Sequence, residues 1–264
     1  MDPVSRTWRW LAETDSTNTD ARRILLSAAG VPPGPSRDVV VVADHQRAGR
    51  GRLGRVWEAP TAASLLMSVG TVADVRDEDR GLLLTAMSLA ALDAIEAQLG
   101  LRLMIKWPND LVAVTGSAPA ALKVAGVLAE AVTLSDGRTG YVVGIGINCN
   151  WVRITGPLAD TAASLDILVG SSVDREALAV GVIKGFEERL GALEAPGGEG
   201  SRSLLGDARA RSATLGGDVE VQTPEGLLRG RAVDLDDDGA LLVDTGNAAP
   251  RRIVVGDVVS LRPS

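Results

Sequence analysis

The chain has 264 residues, 45% of them hydrophobic and 23% charged, enough apolar surface for one large domain or two. Its formal net charge of −7 argues against a chain-wide nucleic-acid role. The single cysteine, Cys149, excludes an internal disulfide and suits a reducing compartment. No run of about 18 apolar residues marks a membrane span, and residues 1–10 lack the apolar core of a signal peptide.

No internal repeat is visible. Trp8 to Leu11 reads as a short first strand. Asp15, Ser16 and Thr17 offer helix N-caps, and Ala21, Ile24, Leu25 and Ala28 follow at helical spacing until Gly30 and Pro32. The β-branched run Val39–Ala43 predicts a buried strand, His45–Arg55 a glycine- and arginine-rich loop, and Ser64–Val72 a second strand. Arg80–Leu99 carries the strongest helical pattern, with Leu83, Met87, Ala90, Ala91, Ala94 and Ile95 on its inner face and Gly100 at its end. Leu101–Lys106 alternates as a strand. Lys123–Leu134 and Gly140–Cys149 form a hairpin about Asp136-Gly137. Asp174–Leu193 is a second long helix, with Ser171 or Ser172 as its cap.

Past Pro196–Gly200 a short helix fits Ser203–Arg211. Residues 219–222, 227–235, 241–244 and 252–261 then read as short strands, separated by turns at Pro224-Glu225-Gly226 and Asp237-Asp238-Gly239. The order predicts an α+β fold. A mixed β-sheet with packed helices occupies residues 1–211, and a small β-barrel residues 212–264.

Four segments carry chemistry. In Ala48–Arg55, Gly49, Gly51 and Gly54 let the backbone approach a ligand, and their amides can form an anion nest. Arg47, Arg50, Arg52 and Arg55 add four cations within nine residues, and guanidinium forks match phosphate and carboxylate oxygens. A loop closing over a polyanion, a solvated arginine-rich loop and an RNA contact all fit; no Gly-Lys-Ser/Thr follows, so it is not a P-loop. In Lys106-Trp107-Pro108-Asn109-Asp110 a lysine leaves a strand, a proline extends the chain, and Asn109 and Asp110 begin another strand. A sharp corner with Trp107 as core filler is the plainer alternative. In Lys123–Glu130 a lysine opens an apolar strand with Gly126 inside it. It either faces a carboxylate or snorkels to water. In Gly144–Asn148 two glycines and an asparagine end a buried strand, and Asn148 either pairs with an adenine edge or caps the next loop.

Together these motifs resemble the biotin protein ligase family: Gly-Arg-Gly-Arg-x-Gly at 49–54, Lys-Trp-Pro-Asn-Asp at 106–110, Lys-x-Ala-Gly at 123–126 and Gly-Ile-Asn at 146–148. Asp15-Ser16-Thr17-Asn18 and His45-Gln46 also match, and the β-rich tail matches the family's SH3-like C-terminal domain. The resemblance is to a monofunctional ligase with the fold of the class II aminoacyl-tRNA synthetases. It implies formation of biotinyl-5'-AMP from biotin and MgATP, then transfer to a lysine of a biotin carboxyl carrier domain of an acyl-CoA carboxylase, in the cytoplasm. Ser16, Thr17 and Gln46 would bind the ureido and thiophane end. Asn18, Arg50, Gly51 and Arg52 would complete the biotin and phosphate contacts. Gly126 and Gly146 would let the valeryl chain pass close to the sheet. Lys123 would hold the biotin carboxylate and the α-phosphate, and Asn148 would meet the adenine. Arg52, Arg55, Lys106, Asn109 and Asp110 belong to the ATP side. The resemblance names Lys123, Arg52 and Lys106 as catalytic. The metal ligands stay open, with Asp110 a candidate for Mg²⁺.

No enzyme nucleophile is required, and a histidine-based triad would have to use His45, the only histidine. The sequence departs from the family in three ways. The 111–122 connection is long, which suggests an extended tip. Ala163-Ser164-Leu165 stands where many relatives have Thr-Ser-Leu. The motifs begin at residue 14, leaving no room for a helix-turn-helix domain, so no DNA binding is expected. A lipoate ligase or lipoyl transferase is the neighbouring reading; a non-catalytic biotin- or RNA-binding protein is the reading from another class. Monomer and homodimer are both compatible with the sequence.

Overall fold

The computed structural model describes residues 7–27, 39–114, 121–247 and 249–262, with 260–262 as backbone only. The elements run β1 (Thr7–Leu11), α1 (Thr17–Ser27), β2 (Val39–Ala43), β3 (Ser64–Thr71), α2 (Leu82–Leu99), β4 (Met104–Lys106) and β5 (Asp110–Val114). They continue with β6 (Ala121–Thr133), β7 (Thr139–Asn148), α3 (Leu165–Val169), α4 (Arg175–Glu194) and α5 (Glu199–Ala210). Five strands close the chain: β8 (Asp218–Thr223), β9 (Gly226–Leu235), β10 (Leu241–Asp244), β11 (Arg251–Ile253) and β12 (Asp257–Arg262). Two compact units share them: Met1–Asp74 with Ala125–Arg153 and Ser164–Ala179, and Val75–Val124 with Ile154–Ala163 and Val180–Ser264.

In the first unit the strand order is β1-β2-β3-β7-β6, with β1 parallel to β2 and the other pairs antiparallel. Every residue of β2 and β3 is buried, so both faces of the sheet's middle are covered and its strands read as unbroken apolar runs. On one face Ala21 and Leu25 of α1 pack with Val39, Val41, Val132, Leu134 and Val142. Register lines the strands up so that Ser68, Gly144 and Leu128 stand side by side across β3, β7 and β6. Leu66, Gly146 and Gly126 form the parallel row. Because directly opposed residues share a face, these rows put four small residues, Ser68, Gly144, Gly146 and Gly126, on the face that carries α1.

α3 is too short to show a helical period and was not expected from the sequence. α4 is capped by Asp174, whose Oδ1 accepts the N–H groups of Glu176 (2.9 Å) and Ala177 (3.1 Å). The serines at 171 and 172 are therefore not the cap, since Asp174 stands immediately before the first helical residue. The stop expected at Gly30 and Pro32 lies outside the described residues.

In the second unit β4 and β5 make a tight hairpin with Lys106 opposite Asp110. Residues 107–109 between them form the turn, so Pro108 does not extend the chain as expected. α2 is long and apolar enough to cross a bilayer. Its residues from Leu82 to Ile95 are mostly buried, and it packs on α5 and β5, as a helix apolar all round does in a large core. It stops where Gly100 takes φ 64. The tip expected to be extended falls largely on 115–120, outside the described residues.

The C-terminal strands form one antiparallel sheet of order β11-β10-β9-β8-β12. The single strand expected over 252–261 is two. Gly256 between them sits so close to Val221 that a Cβ there would lie 2.9 Å from its Cγ1. Among the described residues no ladder joins β11 to β12, so this is a five-stranded sheet in which no barrel closure is seen.

Candidate active site

One pocket of the first unit gathers most residues expected at the biotin end. Ser16, Thr17, Asn18, Gln46, Arg50, Gly126 and Gly146 line a partly open space of about 330 Å³, with Trp57, Leu128, Gly144 and Ile145. Thr17 and Asn18 begin α1, and Ser16 precedes it. All three are at least 95% buried, so their polar atoms must be satisfied by the wall or by a ligand.

The wall satisfies them through a continuous network. Gln46 Oε1 accepts the Thr17 N–H at 2.8 Å and lies 3.1 Å from Thr17 Oγ1. Ser68 Oγ lies 2.7 Å from Thr17 Oγ1 and 2.6 Å from Asn18 Oδ1. Asn18 Nδ2 donates to Glu130 Oε2 at 2.8 Å, and the same oxygen accepts from Arg50 Nη2 at 2.9 Å. These are neutral donors and acceptors apart from the Arg50–Glu130 ion pair, and a neutral, hydrogen-bonding ligand head matches such a wall.

Two glycines make the floor possible. A Cβ on Gly144 would coincide with Asn18 Oδ1 and approach Ser68 Oγ to 3.1 Å. A Cβ on Gly146 would meet the Trp57 ring at 2.6 Å. Gly146 is thus covered by an indole, a wall the sequence reading did not include.

The glycine-arginine segment folds back on itself. Trp57 N–H donates to Gly49 O (3.0 Å), Arg50 bridges Val56, and Gly51 N–H donates to Arg55 O (2.7 Å). Arg52–Gly54 is a one-turn tip, with Leu53 at φ 55, ψ 34, a left-handed conformation that non-glycine residues rarely take. Its base is stitched to the strand-to-helix loop: Arg47 N–H donates to Thr14 O (2.9 Å), and its side chain pairs with Asp15 (2.9 Å) and Glu13 (3.3 Å). Arg47 thus anchors the loop, and Arg50 faces the pocket. Gly51, Arg52 and Arg55 sit at the hairpin tip and are not among the lining residues.

Four of the seven residues expected on the ATP side, Lys106, Asn109, Asp110 and Lys123, belong to the second unit, and Arg52, Arg55 and Asn148 to the first. Lys123 Nζ lies 2.7 Å from Asp110 Oδ1, with side chains 37% and 25% exposed. Lys123 therefore faces a carboxylate instead of snorkelling. Its backbone is held by Thr161 and Ala163: the Lys123 N–H donates to Thr161 O (2.8 Å), and the Ala163 N–H to Lys123 O (2.9 Å). Lys106 and Asn109 flank the same β4–β5 turn. Trp107 is 7% exposed; its N–H donates to Thr214 Oγ1 (2.9 Å) and its Nε1–H to Gly239 O (3.1 Å). It both fills the core and pins the turn. No group of three or more His, Cys, Asp or Glu side chains able to hold a metal occurs among the described residues.

Asn148 ends β7, buried and opposite Ser64. Cys149 next to it is fully buried, and desolvation pushes its thiol up to about 12, so it is no nucleophile at neutral pH. Sequence reasoning missed Trp57, Ser68, Glu130 and Gly144. Only Gly144 and Glu130 left a signal: a glycine within a buried strand, and a charge at the end of an apolar one.

The family model for the biotin/lipoate A/B protein ligase family matches residues 10–150, more than half of the chain. The chain belongs to the biotin/lipoate A/B protein ligase family. The model of the biotin protein ligase C-terminal domain matches residues 214–260. The chain is 36% identical over 265 residues to the biotin–[acetyl-CoA-carboxylase] ligase of Mycobacterium tuberculosis, covering 97% of this chain and 90% of that protein. It is 32% identical over 242 residues to the enzyme of that name from Paracoccus denitrificans, covering 88% and 92%. Among solved structures it is similar to a biotin protein ligase from Aquifex aeolicus in complex with biotin and ATP, with a TM-score of 0.77, 29% identity, and 98% and 99% of the two chains covered.

Proposed function

We propose that this chain is a biotin protein ligase that forms biotinyl-5'-AMP and transfers biotin to the lysine of a carboxyl carrier domain of an acyl-CoA carboxylase. The observation that carries this is the pocket itself: a neutral, hydrogen-bonding wall of Ser16, Thr17, Asn18 and Gln46. A urea presents two N–H donors and one carbonyl acceptor, and hydroxyls and amides answer both kinds. A dithiolane offers neither, which favours biotin over lipoate.

In the first step a biotin carboxylate oxygen attacks the α-phosphorus of ATP, and pyrophosphate leaves. Two anions must meet, so cations are needed where charge develops. Lys123 is the residue for this. Its ammonium is held beside a carboxylate, 2.7 Å from Asp110 Oδ1. On this reading Gly126 and Gly146 lie under the valeryl chain, and Arg50, Gly51, Arg52 and Arg55 close over it. Lys106, Asn109 and Asp110 serve the triphosphate, and Asn148 the adenine. Magnesium bound to a nucleotide needs only one or two protein carboxylates beside phosphate and water. Asp110 can supply one, and the ion would offset phosphate charge. In the second step the carrier lysine's amine attacks the acyl carbon, and AMP leaves. The hairpin at 49–57 would shield the anhydride from water.

Residues 1–211 would then be the catalytic domain and 212–264 the SH3-like one. The reaction belongs to the cytoplasm, with its ATP and reduced thiols. It needs no DNA or membrane, and a monomer or a homodimer would serve. Pyrophosphate release with biotin and with lipoate, each with MgATP, tests the substrate. Release with biotin supports the reading; release with lipoate alone overturns it.

A further inference from the structure

We propose that Glu130 is a positioning residue of the ligand pocket. It latches the glycine-arginine hairpin through Arg50 and sets the direction of the hydrogen bonds that reach the ligand. The proposal rests on the biotin-ligase reading of the pocket, because the ligand it concerns is the ureido head.

Glu130 is on the same face of β6 as Gly126 and Leu128, but it is not among the residues lining the pocket. One of its oxygens takes both Asn18 Nδ2 (2.8 Å) and Arg50 Nη2 (2.9 Å). A carboxylate can only accept, so Asn18 must turn its NH₂ toward Glu130 and its Oδ1 toward Ser68. Ser68 has one hydroxyl proton. With Asn18 Oδ1 at 2.6 Å as an acceptor that cannot donate, that proton goes to Asn18. Ser68 Oγ, 2.7 Å from Thr17 Oγ1, is then nearer than Gln46 Oε1 at 3.1 Å and, with its own proton committed, accepts the Thr17 hydroxyl proton. Gln46 Oε1 keeps the Thr17 N–H at 2.8 Å. Every bond from Thr17 through Ser68 and Asn18 thus points to Glu130.

The consequence falls on the pocket. Thr17 Oγ1 has spent its proton inside the wall, and its lone pairs are left to receive one. It is fixed as an acceptor for a ligand N–H, which a urea has and a dithiolane lacks. Glu130 thereby imposes ligand polarity without touching the ligand. Through Arg50 it also ties the hairpin to the same switch: the carboxylate that orders the wall holds the flap that closes it.

The test compares Glu130→Gln and Glu130→Ala with wild type in steady-state pyrophosphate release, with biotin and MgATP varied separately. Glu130→Ala loses both bonds and should raise the KM for biotin about tenfold or more, with kcat at saturating biotin within about threefold and the KM for ATP little changed. Glu130→Gln can set its one carbonyl oxygen where both Asn18 and Arg50 donate, but it lacks the negative charge that holds the guanidinium, so it should fall between. Asn18→Ala combined with Glu130→Ala should lose no more than the worse single change, because the two act through one chain. Should Glu130→Ala fail to melt cooperatively, Ser68→Ala cuts the same chain at its middle and should raise the biotin KM alone. A biotin KM within twofold of wild type in both Glu130→Gln and Ser68→Ala would overturn the proposal. So would a fall in kcat with KM unchanged. If wild type itself releases no pyrophosphate with biotin, the ligase reading has failed, and the polarity argument falls with it for that separate reason.

Discussion

Gly144→Ala perturbs the pocket at its tightest point. Gly144 is paired on both sides, to Ser68 of β3 and Leu128 of β6, so the strand cannot draw back. The new methyl would coincide with Asn18 Oδ1, and the side chain must move. Asn18 then gives up its bond from Ser68 (2.6 Å) and its bond to Glu130 (2.8 Å). A neutral hydrogen bond contributes about 1 kcal/mol and one to a charged group about 1.5–3 kcal/mol. Asn18 is 5% exposed, so water does not replace them, and the expected loss is about 2.5–4 kcal/mol. At roughly 2–4 °C per kcal/mol for a chain of this size, the melting temperature should fall roughly 5–15 °C. Biotin should also lose its stabilising effect, which at a hundredfold excess over Kd is about 2.7 kcal/mol. Differential scanning calorimetry with and without biotin reads both. Truncating Asn18 in the same background should relieve the clash, so the double variant should be no worse than Asn18→Ala alone. A Gly144→Ala protein that melts with wild type and gains as much from biotin would refute the close approach of α1 to β7.

Lys123→Ala should lower the rate of pyrophosphate release at least 100-fold, about 3 kcal/mol of transition-state stabilisation. Its circular dichroism should remain that of wild type, because a partly exposed ion pair contributes only about 0–1 kcal/mol to stability; near-normal turnover would show the site to be misassigned. Arg52→Gly keeps a backbone that suits the 52–54 turn and should release biotinyl-AMP early. Bystander proteins in the mixture would then carry biotin, and a variant as selective as wild type counts against the role of Arg52. Cys149 gives a pH prediction. The unfolded thiol loses its proton near the ordinary value of 9.0, whereas the buried one holds it to about 12. The folded state thus binds more protons over that range, and stability present below pH 9 is lost as pH rises. Chemical unfolding at successive pH values should show wild type falling more steeply than Cys149→Ala, by about 1.4 kcal/mol per pH unit; parallel curves would refute the burial argument.

The sequence made the long periodic elements plain. The Val39–Ala43 run, the α2 pattern with Gly100 behind it, and the Asp136-Gly137 hairpin all rest on local rules, and the structure has each of them. The errors arose where a tertiary contact decides. Arg252–Leu261 reads as one β-rich strand, but Gly256 is the point at which the chain bends against Val221. Pro108 reads as a residue that extends the chain; its turn closes only with Trp107 anchored on Thr214 and Gly239, contacts more than a hundred residues away. The site divides in the same way. Gln46, Arg50 and Gly126 stood in recognisable motifs, whereas Ser68 is an ordinary residue in an apolar strand until register sets it beside Gly144. Trp57 lay just past the glycine-arginine motif, and nothing local says that its ring covers Gly146.

The most direct measurement is intact mass spectrometry of a biotin carboxyl carrier domain after incubation with the protein, biotin and MgATP. One biotin should be joined by an amide at a single carrier lysine, with AMP and pyrophosphate as co-products and no addition when ATP is omitted. A carrier that stays unmodified beside folded protein, or one that takes up lipoate in preference, would contradict the ligase.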